Sequence, residues 1–410
     1  MDALLFLAHR IPYPPNKGDK VRSYHLLRHL AEHFRVHLGT FVDDEADWQH
    51  VDTVRVWCGE THFARLDPRV AKIKSLRGLL SGEALSLPYY RDAGLANFVR
   101  SVMAKHQIRH VLVYSAAMAQ YVSEYSNVTR VADLVDVDSD KWRQYSATKR
   151  FPTSWIYRRE AARLLDFERE VARTFDATLF VSPQEADLFR RLAPESAPRI
   201  EHLNNGVDSE FFSPAREYVR PYPNGRKIIV FTGAMDYWPN VDAVNWFARE
   251  VFPRLRQRFD GVAFFIVGAR PSPAVHALAR LPDVTVTGSV PDMRPYLAHA
   301  DVAVAPLRLA RGVQNKVLEA MAMARPTVVS PEAAEGIEAR PGMEFLIAPD
   351  ADAFVDCLGE LLLRPGNIGS AARQRVLSAY SWERNLARIV ELLCTREQRR
   401  SHSPSPLVTS

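Results

Sequence analysis

Short β-branched and apolar runs alternate with stretches of helical periodicity along nearly the whole chain, an order that confines it to parallel sheets flanked by helices. In the first half, runs at 3–8, 36–42, 54–58, 111–115, 131–137 and 177–182 read as strands. Between the first two, Tyr24, Leu27, Leu30, Ala31 and Phe34 recur at helical spacing, which makes a βαβ unit. Pro214, Pro221, Pro223, Asn224 and Gly225 interrupt the pattern, and a second series follows at 227–233, 262–268, 284–288, 301–306, 326–330 and 344–348. The predicted fold class is therefore α/β, with two Rossmann-like, doubly wound parallel-sheet domains at 1–205 and 227–380 and a linker at 206–226. A C-terminal helix at 381–397 is expected to pack back toward the first domain, and 398–410 has the composition of a disordered tail. A chain of 410 residues is long enough for two cores, and two lobes imply a cleft.

Composition narrows the classes. With 47% hydrophobic and 25% charged residues the chain is globular, not fibrous or wholly disordered. Its apolar start reaches His9 and Arg10 without a cleavage-like site, so it reads as a strand instead of a secretory signal. No run approaches the roughly 20 apolar residues needed to cross a bilayer. Cys58, Cys357 and Cys394 lie far apart and form no CxxC pair, which speaks against a zinc site or a disulfide framework and suits a reducing cytoplasm. A formal net charge of +5 favours anionic partners.

The segment 305–330 reads as strand, glycine-bearing loop, helix and strand. Gly312 falls where the loop turns into the helix, so the backbone amides of Val313, Gln314 and Asn315 are expected to point out of the helix N-terminus as an anion site. Arg308, Arg311 and Lys316 add charge-assisted hydrogen bonds suited to a diphosphate, and Glu319 is placed to accept from sugar or ribose hydroxyls. The alternative makes Arg308 and Arg311 solvated charges and Glu319 a surface helix residue.

Together with Asn204-Asn-Gly-Val-Asp208, Phe231-Thr-Gly-Ala-Met-Asp-Tyr-Trp-Pro-Asn240 and Thr287-Gly-Ser-Val-Pro-Asp292, this segment resembles glycosyltransferase family 4 over nearly the whole chain. Ile11-Pro-Tyr-Pro-Pro-Asn-Lys-Gly-Asp19 and Asp136-Val-Asp-Ser-Asp-Lys-Trp142 are similar to the sugar transferases associated with PEP-CTERM/exosortase sorting and exopolysaccharide loci. The resemblance implies two facing domains (the GT-B fold) and a retaining transfer of sugar from a nucleotide-diphosphate donor to a glycan or lipid-linked acceptor. It also implies a donor site at Gly233, Ser289, Val290, Arg308, Arg311, Gly312, Val313, Gln314, Asn315, Lys316 and Glu319, with the base near Ser289 and Val290. Two departures stand out. Arg311 occupies the position where many relatives carry a sugar-contacting glutamate, and the loop Asp236-Tyr-Trp-Pro-Asn240 lacks the basic residue common there.

In the first half, Gly18 is expected to permit a tight turn and Asp19 to face the acceptor, or Asp19 simply caps a helix. Asp136 and Asp138 follow a buried strand and are, with Lys316 and Arg311, the catalytic candidates. Ser139 and Asp140 read equally as caps, and Asp-x-Asp also reads as a metal clamp. The three cations of the donor loop already supply counter-charge, so no metal is expected. The stretch 141–163 interleaves seven basic residues, Arg158 and Arg159 among them, with Trp142, Tyr145, Trp155 and Tyr157; it suits either an anionic membrane surface on the cytoplasmic side or a packed helix pair. No nucleic-acid module accompanies it. His9, His25 and His62 are acid–base candidates by residue type alone. A nucleotide-sugar epimerase and a non-enzymatic polysaccharide-assembly scaffold are the rival readings, whereas a dinucleotide-dependent oxidoreductase would need a G-x-G-x-x-G turn that is not present.

Overall fold

The computed structural model describes residues 1–15, 18–310 and 312–401, with side chains to 394. The chain divides into a first unit, Met1–Asn204 with the chain from Glu383, and a second unit, Asn205–Trp382.

In the first unit, β1 (Ala3–Ala8), β2 (Arg35–Val42), β3 (Thr61–Arg65), β4 (His110–Tyr114), β5 (Thr129–Val135), β6 (Ala177–Phe180) and β7 (Ile200–His202) form one sheet in the order β3-β2-β1-β4-β5-β6-β7. Every pairing is parallel. Both faces are covered, so the strands read as continuous apolar runs such as Leu4–Ala8, all fully buried. The run 54–58 is not a strand: Val51–Arg55 is a short helix that buries Val51 and Val54, one turn apart. The strand of that region is β3, whose His62 and Phe63 gave a weaker signal. A short apolar run carries too few periods to tell strand from helix. The helix Gly18–His33 buries Leu26, Leu27 and Leu30, but also Lys20 and Arg22. Lys20 Nζ lies 2.6 Å from Asp47, and Arg22 pairs with Asp133 on β5 at 2.7 Å while donating to the Leu203 carbonyl.

In the second unit, β8 (Lys227–Thr232), β9 (Val262–Val267), β10 (Val284–Gly288), β11 (Val302–Ala305), β12 (Thr327–Val329) and β13 (Leu346–Ile347) form a parallel sheet in the order β10-β9-β8-β11-β12-β13. Apolar clusters fill both of its faces, one around Phe231, Phe247 and Phe264, the other around Tyr222, Phe265 and Met323. Residues 206–226 are not a free linker. Val207 bridges to Ser381 and Tyr222 is buried edge-on against Phe265, so aromatic and β-branched side chains override the proline-rich composition. The C-terminal helix runs Trp382–Ser401 and is packed with the first unit: Leu386, Ile389 and Leu393 are buried, and Arg388 pairs with Glu201. The rest of the tail lies outside the described residues.

Candidate functional site

The chain lays down β8, β9 and β10 toward one edge, then places β11 against the opposite side of β8. Strand order thus reverses between β8 and β11, and in such a sheet ligands bind beyond the carboxyl ends at that reversal. Gly233 follows β8 and Gly268 follows β9. A Cβ on Gly268 would come 1.7 Å from the Gly233 carbonyl oxygen, so these loops pack backbone to backbone. A Cβ on Gly233 would sit 2.8 Å from Asn240 Nδ2 and 3.3 Å from Lys316 Cε, so that glycine makes room for the Lys316 stem. Beyond β11, Gly312 turns the chain at φ 64°.

The helix begins at Asn315, later than expected from Gly312, and runs Asn315–Ala322 with Gln314 as its cap. Val313 and Gln314 are therefore loop residues. Val313 packs on the core, and the Gln314 carbonyl accepts from Val317 N at 2.9 Å. The first-turn donors belong to Asn315 and Lys316, whose N–H groups have no acceptor within a helix. Asn315 Oδ1 is buried without a partner.

Lys316 Nζ donates to Asn240 Oδ1 at 3.0 Å and lies 5.5 Å from the centre of the Phe231 ring. Burial pulls this ammonium down to about 8, against the opposing pull of Glu319. Burial also pushes the Glu319 carboxyl up to about 7, with Lys316 opposing. Both charges are thus short of solvent and of full neutralisation. Arg308 differs from expectation: it forms a two-pronged pair with Asp242 at 2.9 and 2.5 Å, so its charge is largely matched within the protein. Arg311 lies outside the described residues. In the loop after β8, Asp236 is bound by Arg270 at 2.6 Å, which brings a cation from the loop after β9 beside a segment that has none of its own. Asn240, not a basic residue, meets Lys316 there. The signal for Arg270 was its place just past the end of β9 in Gly268-Ala-Arg270. Ser289 is exposed beyond β10 and Val290 is half-buried against the apolar cluster around Leu297.

The first unit has the same reversal between β1 and β4. Past β1, Arg10 bridges Asp43 at 2.6 Å and Asp19 at 2.5 Å, and His9 Nε2 stands 3.6 Å from Asp19 with its ring stacked on Tyr114. Burial opposes ionisation of Asp19, but the hydrogen bond from His9 and the charge of Arg10 outweigh it and hold the carboxyl below the carboxylate range. Asp19 is therefore an internally paired anion in the first turn of its helix. Gly18 opens the helix, and a Cβ there would meet nothing within 4 Å.

Val135 closes β5 at φ 70°, a strained conformation for a β-branched residue. The next residue, Asp136, shares Lys141 with Asp138 at 2.7 and 3.0 Å, and its Oδ1 is buried without a partner. The ammonium stands between the two carboxylates where a clamped cation would sit, which disfavours the metal-clamp reading. Two His/Glu groupings with metal-ligand spacing occur among the described residues, and neither includes a residue of either site. Ser139 and Asp140 do not cap the helix Asp138–Thr148. Ser139 Oγ donates to the buried Glu168, Asp140 accepts from Arg143 and Gln144, and the Val137 amide that precedes the helix donates to Glu185. In the basic–aromatic stretch, Arg159 is spent internally on the Gly78 and Glu83 carbonyls, and Trp142 packs edge-on to Tyr157. Arg158 remains exposed.

Residues 226–364, less than half of the chain, match the family model described as glycosyl transferases group 1. No curated protein matches the chain. Among solved structures, sucrose-phosphate synthase from Thermosynechococcus elongatus superposes with a TM-score of 0.69 at 17% identity, covering 98% of this chain and 100% of that one. A glycosyltransferase from Rickettsia africae gives 0.67 at 13%, covering 96% and 98%. HepE of Anabaena, solved with UDP, gives 0.64 at 13%, covering 96% and 100%. At such identities the likeness establishes the fold: two doubly wound parallel-sheet units of the GT-B type, the second of which carries the segment similar to group 1 glycosyl transferases.

Proposed function

We propose that the protein is a hexosyl-type glycosyltransferase that moves a sugar, with retention of configuration, from a nucleotide-diphosphate sugar to a glycan or lipid-linked oligosaccharide in exopolysaccharide or cell-envelope glycan synthesis. One observation carries the reading. Lys316 and the helix start at Asn315 lie against Gly233 at the strand-order reversal of the second unit, inside the segment similar to group 1 glycosyl transferases.

In the proposed reaction the bond from the anomeric carbon to the phosphate oxygen breaks and a bond to the acceptor oxygen forms on the same face. The acceptor proton passes to the departing phosphate. Negative charge grows on the diphosphate as it leaves, and a fixed ammonium with a helix N-terminus stabilises that charge more in the transition state than in the ground state. Arg308 is matched by Asp242, so among the described residues this work falls to Lys316 and the helix start, with Arg311 kept as the further cation assigned to the departing diphosphate. Glu319 is assigned to the ribose, and Asp136 and Asp138, with Lys141, to the acceptor side. With protein cations as counter-charge, turnover should survive EDTA; full loss restored by Mg²⁺ would reject that part. HepE was solved with UDP and with UDP-glucose, so UDP-sugars are the first donors to try.

The test is calorimetry with nucleoside diphosphates followed by product analysis with and without acceptor. Lys316→Ala should lower kcat about 100-fold or more. Near-normal turnover in that variant would sink the assignment, and an epimerised sugar formed from donor alone would favour an epimerase.

A further inference from the structure

The helices Pro68–Ser75 and Arg77–Ser81 in the first unit are turned inside out relative to an ordinary surface helix. Their small residues, Ala71, Ser75 and Gly78, face the protein and are buried. The large apolar ones face out: Val70, Ile73, Leu76 and Leu80 are 46%, 71%, 52% and 92% exposed. Steps of three, three and four residues put these four on one continuous stripe. A close-packed backbone explains the inward face. Arg159 donates to the Gly78 carbonyl, and a Cβ on Gly78 would already press within 3.2 Å of the Glu83 carbonyl. Folding of this unit therefore does not call for the outward apolar stripe.

Charge decides what would cover it. Arg69, Lys72, Lys74 and Arg77 are exposed among the apolar residues, and no acid occurs from Pro68 to Gly82. None of the four cations forms an ion pair among the described residues. Lysine is depleted at the centre of protein–protein interfaces, whereas an apolar stripe edged by Lys and Arg suits a helix lying in the headgroup layer with its apolar side chains buried roughly 5–10 Å. The neighbouring helix extends the surface. Trp155 is four residues before Arg159, on the same face, and is half exposed, as amphipathic rings at a membrane interface are.

We propose that this helix pair is a docking surface for an anionic lipid bilayer, with Ile73 and Leu80 as the inserted residues and Lys72, Lys74 and Arg77 facing headgroup phosphates. The proposal rests on this surface alone, does not depend on which sugar is moved, and assigns the membrane contact to Ile73, Leu80 and the cations beside them instead of to Arg158 and Arg159, the latter being bonded to the Gly78 and Glu83 carbonyls.

The experiment is flotation of the full chain with phosphatidylcholine vesicles, alone or mixed in equal parts with phosphatidylglycerol. The wild-type protein should float with the mixed vesicles and not with the neutral ones, and salt should release it. Ile73→Ser with Leu80→Ser should cut the bound fraction about tenfold or more. Lys72→Gln with Lys74→Gln should weaken binding several-fold, and Arg158→Ala should leave it near wild type. The substituted side chains are exposed, so melting should be unchanged; were the double serine variant to melt early, Leu80→Ser alone serves. Wild-type protein that stays with neither vesicle overturns the proposal, and so does unaltered binding by the serine variant. A wild-type dimer in solution that the serine variant breaks would identify a protein interface instead and equally overturn it.

Discussion

Lys316 and Glu319 sit one turn apart on one helix, and burial disfavours the charged form of each. A nucleoside diphosphate needs the ammonium charged and a ribose hydroxyl needs the carboxylate ionised. Affinity should therefore peak between about pH 7 and 8, falling on the acid side as Glu319 protonates and on the alkaline side as Lys316 deprotonates. Calorimetry across this range checks it; a flat profile would contradict the roles. Stability should run the other way. Because the folded carboxyl titrates above its unfolded value, its contribution is full below about 4.5 and is lost as pH rises through about 7. Glu319→Gln should thus raise the melting midpoint of the ligand-free protein at about pH 9 by about 2 °C or more while weakening nucleotide binding. Two glycines give a sharper contrast. Gly18→Ala has open space and should change stability by less than about 0.5 kcal/mol, whereas Gly233→Ala, at φ 154° and against Asn240 and Lys316, should abolish the nucleotide-induced thermal shift. Sequence alone singled out both positions. It could not rank them, because the demand on Gly233 comes from its backbone angle and from Asn240 and Lys316, which only the fold brings against it.

At the scale of elements, the strands were legible wherever apolar runs were unbroken, as at β1, and more so where they were also β-branched, as at β8 and β9. Legibility failed where partners decide. The helix Gly18–His33 showed its leucines, but nothing in the sequence pairs Lys20 with Asp47 or Arg22 with Asp133, the partners that let both cations be buried. The loop proposed for the donor was singled out from its glycine and lysine, yet the matching of Arg308 by Asp242 depends on a helix that follows a different strand. Arg22 and Asp133 are nearly or fully buried, so removing one leaves the other charged and dry. Asp133→Ala should cost about 3–5 kcal/mol, read as a lower urea midpoint with the slope retained. Replacing the pair together by apolar residues of similar size should restore much of that loss.

At the scale of the whole molecule, the chain completes its first unit with its last helix. Leu386, Ile389 and Leu393 are fully or almost fully buried, and His110 on β4 shares a hydrogen bond with the Leu393 carbonyl at 3.0 Å. Asn385 donates to the Asn204 carbonyl at 3.2 Å. Burial of a leucine or isoleucine is worth about 1.5–3 kcal/mol, so three of them match a large share of the roughly 5–15 kcal/mol that holds a domain. Ending the chain after Ser381 should therefore destabilise the first unit selectively. Hydrogen exchange is the measurement that separates the units: protection should drop by about a thousandfold along His110–Tyr114 and stay near normal along Lys227–Thr232. The shortened protein should still bind a nucleoside diphosphate through Lys316, because Lys316 and its contacts Phe231, Gly233 and Asn240, the core of the proposed site, belong to the second unit. Loss of nucleotide binding in parallel with lost β4 protection would show that the donor site depends on the first unit, and equal loss of protection in both sheets would show that the two units unfold as one.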